Sequence, residues 1–325
     1  MQAIFFLHTG RSEYLTARGY RDYLPSVLAQ AKRTTPGSRV ILIGDERNAA
    51  LARAAGVEHH PQSRYDTGAA EFRQRYVHLS RNTVAGERFC FERWFVVRDF
   101  CRANGIDTFA CVDSDVLIFA DLAVRRAALG EHDVSLSDGT CGHLSFWSRL
   151  AVLEAFCDFV MEVYAFDRPE HVKRVMEFYR PFAANGWGGG VCDMTLLQWF
   201  AADPRWRVAE TTKVVGGATF DHNINMSRNG ELAFAMTGGV KQIRWRDGRP
   251  HGVLLDTGEL VAFDCLHCQG PAKRCIPRLI AHRAPVSLQM HASRALRSAA
   301  EARRRFLRSL KPLAKSLVQK ASVGR

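Results

Sequence analysis

The chain predicts an α/β fold, a mostly parallel central sheet flanked by helices, followed by a basic helical tail. Three observations carry this. Residues 3–7 (Ala-Ile-Phe-Phe-Leu) and 40–43 (Val-Ile-Leu-Ile) are short, wholly apolar runs that read as buried strands. Between them Tyr14, Leu15, Tyr20, Tyr23, Leu24, Val27 and Leu28 recur at helical spacing, and strand, helix and strand with turns between them make a βαβ unit. A third apolar run, Ala-Cys-Val-Asp-Ser-Asp-Val-Leu-Ile-Phe at 110–119, is broken by two carboxylates, Asp113 and Asp115.

The first strand ends in the polar turn His8-Thr9-Gly10-Arg11-Ser12, and the helical pattern after it stops at Thr34-Thr35-Pro36-Gly37-Ser38. The strand at 40–43 ends at Gly44-Asp45. A short helix at 48–55 ends at Gly56, and 57–67 reads as loop with room for a short strand. Helical spacing returns at 69–79 and 88–102. In the second, Phe91, Trp94, Phe95, Val97, Phe100 and Cys101 form the apolar side, Asn104-Gly105 is the stop, and Arg93 and Arg98 are by default solvated charges. Further strands are predicted at 133–136, 142–147 and 261–267, and helices at 150–166, 172–179 and after Asp193. Asn185-Gly186-Trp187-Gly188-Gly189-Gly190 is either a flexible connector or a place of close backbone approach to a ligand. Residues 208–253, rich in Gly, Asn and short apolar runs, predict irregular structure and short strands.

At 325 residues the chain can bury a real core, and 47% apolar with 24% charged residues is the composition of a globular protein. No apolar run reaches 18 residues, and the N-terminus lacks the basic flank of a signal peptide, so a cytoplasmic protein with reduced thiols is expected from its nine cysteines. The formal charge of +12 is concentrated in 291–325, where ten Lys and Arg stand against Glu301 alone. Hence the division predicted is one domain over 1–285 and a basic tail over 286–325. A zinc site from Cys265, Cys268 and Cys275 has no second Cys/His pair at ligand spacing to complete it.

The two aspartates carry the chemistry. In one continuous strand side chains alternate, so Asp113 and Asp115 point the same way. Two like charges on a buried strand repel each other and are costly to desolvate, and a hard divalent cation such as Mg²⁺ or Mn²⁺ removes both problems. The plain alternative is a strand end whose carboxylates cap the next turn.

With the Gly-rich turn before Asp193 and with His267-x-x-Gly270-x-x-Lys273, Asp113-Ser114-Asp115 makes an ordered set. Over residues 3–280 that set resembles the GT-A glycosyltransferases, in particular the retaining enzymes of glycosyltransferase family 8. The resemblance implies a Rossmann-like GT-A domain and sugar transfer from a nucleotide-diphosphate sugar, UDP-linked, to a saccharide or lipid-linked acceptor in bacterial surface polysaccharide synthesis. It implies that Asp113, Asp115 and His267 bind Mn²⁺ (or Mg²⁺). His8, Thr9, Arg93, Ser114, Gly270 and Lys273 then contact the donor, and Asp193 lies by the donor sugar and serves as the base if configuration inverts. Two departures mark a divergent relative. His8-Thr9-Gly10 lacks the acids that hold base and ribose in the family, and Arg274-Cys275 replaces the usual Pro-Trp after the lysine.

In the tail Leu296, Ala299, Ala300, Phe306, Leu307, Leu310, Leu313 and Leu317 recur at three- and four-residue steps among basic residues, with Pro312 as a kink. This predicts a basic amphipathic helix attached peripherally to an anionic membrane on its cytoplasmic face. The alternatives are a helix docked on the domain or an unstructured basic end. Two other functions compete. A nucleotidyltransferase is disfavoured because no early Gly-rich lysyl loop is visible. A nucleic-acid-binding protein is disfavoured because the charge is confined to one end.

Overall fold

The structure, a computed structural model, describes residues 1–10, 13–16 and 19–284. The predicted tail and its membrane partner therefore lie outside the described residues. In chain order the elements begin with β1 (Ala3–His8), β2 (Glu13–Thr16), β3 (Gly19–Asp22), α1 (Leu24–Thr34) and β4 (Arg39–Gly44). Next come α2 (Ala49–Ala55), β5 (Glu58–Pro61), α3 (Thr67–Arg75), α4 (Val84–Asn104), β6 (Phe109–Asp113) and β7 (Val116–Ile118). They continue with α5 (Leu122–Ala128), β8 (Val134–Leu136), β9 (Leu144–Trp147), α6 (Leu150–Val163), α7 (Pro169–Asn185) and α8 (Asp193–Ala201). The last third contains β10 (Val208–Glu210), β11 (Ala218–Phe220), the two-residue hairpins β12 (Arg228–Asn229) with β13 (Leu232–Ala233) and β14 (Met236–Thr237) with β15 (Val240–Lys241), then β16 (Ile243–Arg246), β17 (Arg249–Val253), β18 (Leu260–His267) and α9 (Ile276–Ile280).

The main sheet has seven strands in the order β10-β8-β9-β6-β1-β4-β5. All its pairings are parallel except the two that β9 makes. The α/β fold with a mostly parallel central sheet is thus observed. Its middle strands β1 and β6 are apolar up to the polar residue that ends each, because both faces are covered. Ile4 and Phe6 enter one core with α1 and the smaller sheet, while Ala3, Phe5 and Leu7 enter another with α4, α6 and α8. The smaller sheet runs β11-β18-β17-β16, and β7 pairs antiparallel with β18, placing His267 opposite Val116.

Several expectations change. Residues 110–119 are not one strand. The chain turns at Ser114-Asp115, so β6 belongs to the main sheet and β7 to the smaller one. Gln30 of α1 fastens β7 by donating to the carbonyl of Ile118 and accepting from its N–H, the latter at 2.8 Å. The first helical pattern is split. Residues 13–16 and 19–22 pair as the antiparallel strands β2 and β3, and α1 starts at Leu24 with Pro25 in its first turn, a position where the missing N–H costs nothing. The helix predicted at 69–79 ends at Arg75, that at 150–166 ends at Val163, and that at 172–179 extends to Pro169–Asn185. Gly56 and Gly105 do end helices in the left-handed conformation, at φ 70° and 61°. Arg98 is not solvated; its side chain is 10% exposed and its guanidinium pairs with Asp99 at 2.8 Å.

Candidate functional site

The site lies where β6 and β18 end and β7 begins. Asp113 closes β6, on the same face as Phe109 and Cys111, and that face is covered by α4. Asp115 follows in the turn. Its carbonyl accepts from Cys268 N–H at 2.9 Å, so the β7–β18 pairing carries the late segment to the early motif. Ligand atoms of Asp113, Asp115 and His267 lie within 4.8 Å of one another. The two carboxylates therefore do face one another, through the turn rather than through strand alternation.

His267 is set up as a nitrogen donor. Its Nδ1 lies 2.7 Å from the carbonyl of His222. A carbonyl only accepts, so Nδ1 carries a proton and Nε2 is the ring nitrogen left to face the carboxylates, the one a metal would take. Nε2 is 3.6 Å from Asp115 Oδ1. The ring is stacked on buried His143, with centroids 4.2 Å apart and planes at 12°. Burial holds the His143 imidazole well below its ordinary pKa, hence neutral.

Two cations complete the cluster. Lys273 donates to Asp115 Oδ2 and Arg93 Nη1 donates to Asp113 Oδ1. Arg93 also spans to Asp193, with Nη2 2.8 Å from Oδ2, and Trp94 Nε1 donates to the same oxygen at 3.1 Å. Arg93 is 14% exposed, so the expectation of a solvated charge does not hold. Burial acts against ionised Asp115, but His267 and Lys273 outweigh it and hold the carboxyl below the usual range. Burial raises Asp113, with Arg93 opposing and Asp115 adding to the shift. Burial alone would lower Lys273, and Asp115 reverses this to a net rise.

The end of β1 forms a neighbouring wall. His8 Nδ1 lies 3.0 Å from Ser114 Oγ, with Tyr23 OH 3.5 Å from the same hydroxyl. His8 is 9% exposed, and its Nε2 has no hydrogen-bond partner among the described residues. Thr9 is exposed beyond the strand end, and Gly10 N–H donates to Asp45 Oδ2 at 2.8 Å. Gly270, at φ 56°, opens the short 3₁₀ turn that presents Lys273.

Asp113, Asp115, His267, Lys273, Arg93 and Asp193 are thus linked in one cluster, and His8 and Ser114 adjoin it. The glycine stretch is tied to the chain's own backbone. Gly190 bridges to Ser80, and a Cβ there would meet Leu79 O at 2.4 Å. Cys265, Cys268 and Cys275 form no metal cluster among the described residues. All three are buried, and burial pushes the Cys265 and Cys268 thiols far up, away from the thiolate that binds zinc. Sequence reasoning missed Tyr23, His143 and His222, whose spacing carries no sign of the long-range pairing that brings them here.

Chemically, two carboxylates and an imidazole nitrogen suit a divalent cation, Mn²⁺ better than Mg²⁺ because of the nitrogen. Side chains at the carboxyl ends of an open α/β sheet are where such folds bind ligands.

No family model matches the chain, and no curated protein matches it. Among solved structures it is similar to mouse xyloside xylosyltransferase 1, with 9% identity, a TM-score of 0.43, and coverage of 64% of this chain and 84% of that one. It is also similar to the bifunctional glycosyltransferase WbbM, with 10% identity, a TM-score of 0.40, and 72% and 41% covered. A cytidylyltransferase from Leptospira borgpetersenii serovar Hardjo-bovis shares 11% identity at a TM-score of 0.30, with 48% and 63% covered. Likenesses of this size decide nothing about the chain's activity.

Proposed function

We propose that this chain is a GT-A-type glycosyltransferase, moving a sugar from a nucleotide-diphosphate donor to a hydroxyl of a saccharide or lipid-linked acceptor. The observation that carries the reading is the convergence of Asp113, Asp115 and His267 within 4.8 Å, with Lys273 and Arg93 on the two carboxylates. Mn²⁺ held by those three side chains would neutralise charge on the leaving diphosphate as a Lewis acid. Lys273, on its 3₁₀ turn, supplies a second positive charge to the same phosphates, and Gly270 leaves room for their approach. Arg93 holds Asp193 beside the metal ligands, where Asp193 and the guanidinium bind the sugar. Retention of configuration needs no protein base, since the departing phosphate takes the acceptor proton; for inversion, Asp193 is the proposed base. His8, Thr9 and Ser114 form the donor's nucleoside side, with His8 Nε2 open to a hydroxyl or base edge, and uridine is the nucleoside proposed. The concentration of basic residues after 290 supports attachment to an anionic membrane surface, where surface-polysaccharide acceptors reside.

A screen of nucleotide sugars for Mn²⁺-dependent hydrolysis tests this. A donor that is hydrolysed by the wild-type chain and not by a folded Asp115→Ala variant supports the reading. Equal turnover by that variant removes it, and release of pyrophosphate from a nucleoside triphosphate plus a sugar phosphate points instead to a nucleotidyltransferase.

A further inference from the structure

The proposed metal site depends on one imidazole, and the groups holding that imidazole form a network that sugar transfer itself does not require. Asp221 stands at its centre. Its Oδ2 accepts from the backbone N–H of His267 at 3.0 Å, and its carbonyl accepts from His143 Nε2 at 3.0 Å. Its Oδ1 accepts from Lys241 Nζ at 2.6 Å, and both side chains are 0% exposed. Lys241 donates a second bond to the carbonyl of Asn223 at 2.8 Å. Between these two anchors lies His222, whose carbonyl fixes the His267 tautomer. Ile224 N–H bonds the carbonyl of His267 at 3.0 Å, so residues 221–224 run along the end of β18 as a clamp.

A buried ion pair is a poor device for stabilising a fold, since desolvation offsets its attraction and an apolar pair of similar volume does as well. Here every hydrogen bond of the pair acts on the segment that orients His267. Outer partners of this kind tune metal affinity through the ligand they hold. We infer that Asp221 and Lys241 are positioning residues for a divalent cation, holding His267 Nδ1 on the His222 carbonyl so that Nε2 is aimed at Asp113 and Asp115. This rests on the metal-site reading above and deepens it.

The test is Mn²⁺ binding by the full chain, followed by electron paramagnetic resonance without donor or acceptor, with Tm measured in parallel. The double variant Asp221→Leu/Lys241→Met removes the clamp and leaves no unpaired buried charge, so Tm should stay close to wild type while Mn²⁺ binds about ten- to a hundredfold more weakly. Asp221→Asn/Lys241→Gln keeps neutral hydrogen-bonding groups at both positions and should restore most of the affinity, which keeps the test decisive if the first variant folds poorly. Wild-type affinity in a folded Asp221→Leu/Lys241→Met variant, or an Asp221→Asn/Lys241→Gln variant as weak as that one, overturns the positioning role and leaves the metal site standing. A wild-type chain that binds no Mn²⁺ overturns the metal site itself.

Discussion

The seven-stranded and five-stranded sheets meet at the carboxylates but are built on different principles. In the larger sheet, β1, β4 and β6 are apolar on both faces and sandwiched between two cores, so burial alone determines where they lie. The smaller sheet is gathered around the eight-residue β18 and relies on close fits. At Gly252 of β17 a Cβ would stand 2.4 Å from the ring of Phe234 and 2.6 Å from that of Phe263. The larger sheet thus supplies stability and a rigid place for Asp113. The smaller sheet aims His267 at it, and a small displacement there changes the site without unfolding the domain.

Substitutions can break that contrast. Phe5→Ala has the largest expected effect on folding. Phe5 is fully buried, edge-on to Phe100 at 5.4 Å and to Phe109 at 5.5 Å, and its loss should cost about 3–5 kcal/mol by urea unfolding. Mn²⁺ affinity per folded molecule should stay unchanged. Gly252→Ala should give the opposite profile, an overpacking cost of about 1–3 kcal/mol together with a measurable loss of Mn²⁺ affinity as β17 and β18 shift. If Phe5→Ala weakens metal binding as much as Gly252→Ala does, the division of labour is wrong.

The smallest effect is a pH response on the larger sheet's side of the molecule. Burial lowers the pKa of His132, ahead of β8, and of His60 in β5. The unfolded chain then binds more protons than the folded one as pH falls through about 6.5, so stability rises with pH across that window and declines below it. Tm should drop modestly between pH 7 and 5.5, and His132→Gln should remove part of that drop. An unchanged slope in that variant would show that His132 titrates alike in both states.

The same contrast explains what could be read from residues alone. The runs at 3–7 and 40–43 and the glycines at 56 and 105 are local signals, and the elements they predict are observed. The Asp113-Ser114-Asp115 triplet was legible as a candidate site for the same reason. The turn inside it was not, because Val116-Leu117-Ile118 continues an apolar run, and periodicity does not say which sheet a strand joins. Arg93 read as solvated because its carboxylate partners Asp113 and Asp193 reach it only once α4 is docked, and Arg98 because its close approach to Gly68 of α3 is likewise a long-range contact. The stretch 13–22 has aromatic spacing that suits a helix, yet 13–16 and 19–22 pair as antiparallel strands. His267 entered through a family pattern, while its orientation by His222 and Asp221 depends on long-range contacts that no local spacing encodes.

The central claim is that ligands from both sheets hold a single cation. Titration of Mn²⁺ by electron paramagnetic resonance, in the presence of UDP, tests it on the wild-type chain beside Asp115→Ala and His267→Ala. One bound ion in the wild type, weakened at least about tenfold by either substitution, is the predicted result. His267→Ala binding Mn²⁺ as tightly as the wild type would contradict it.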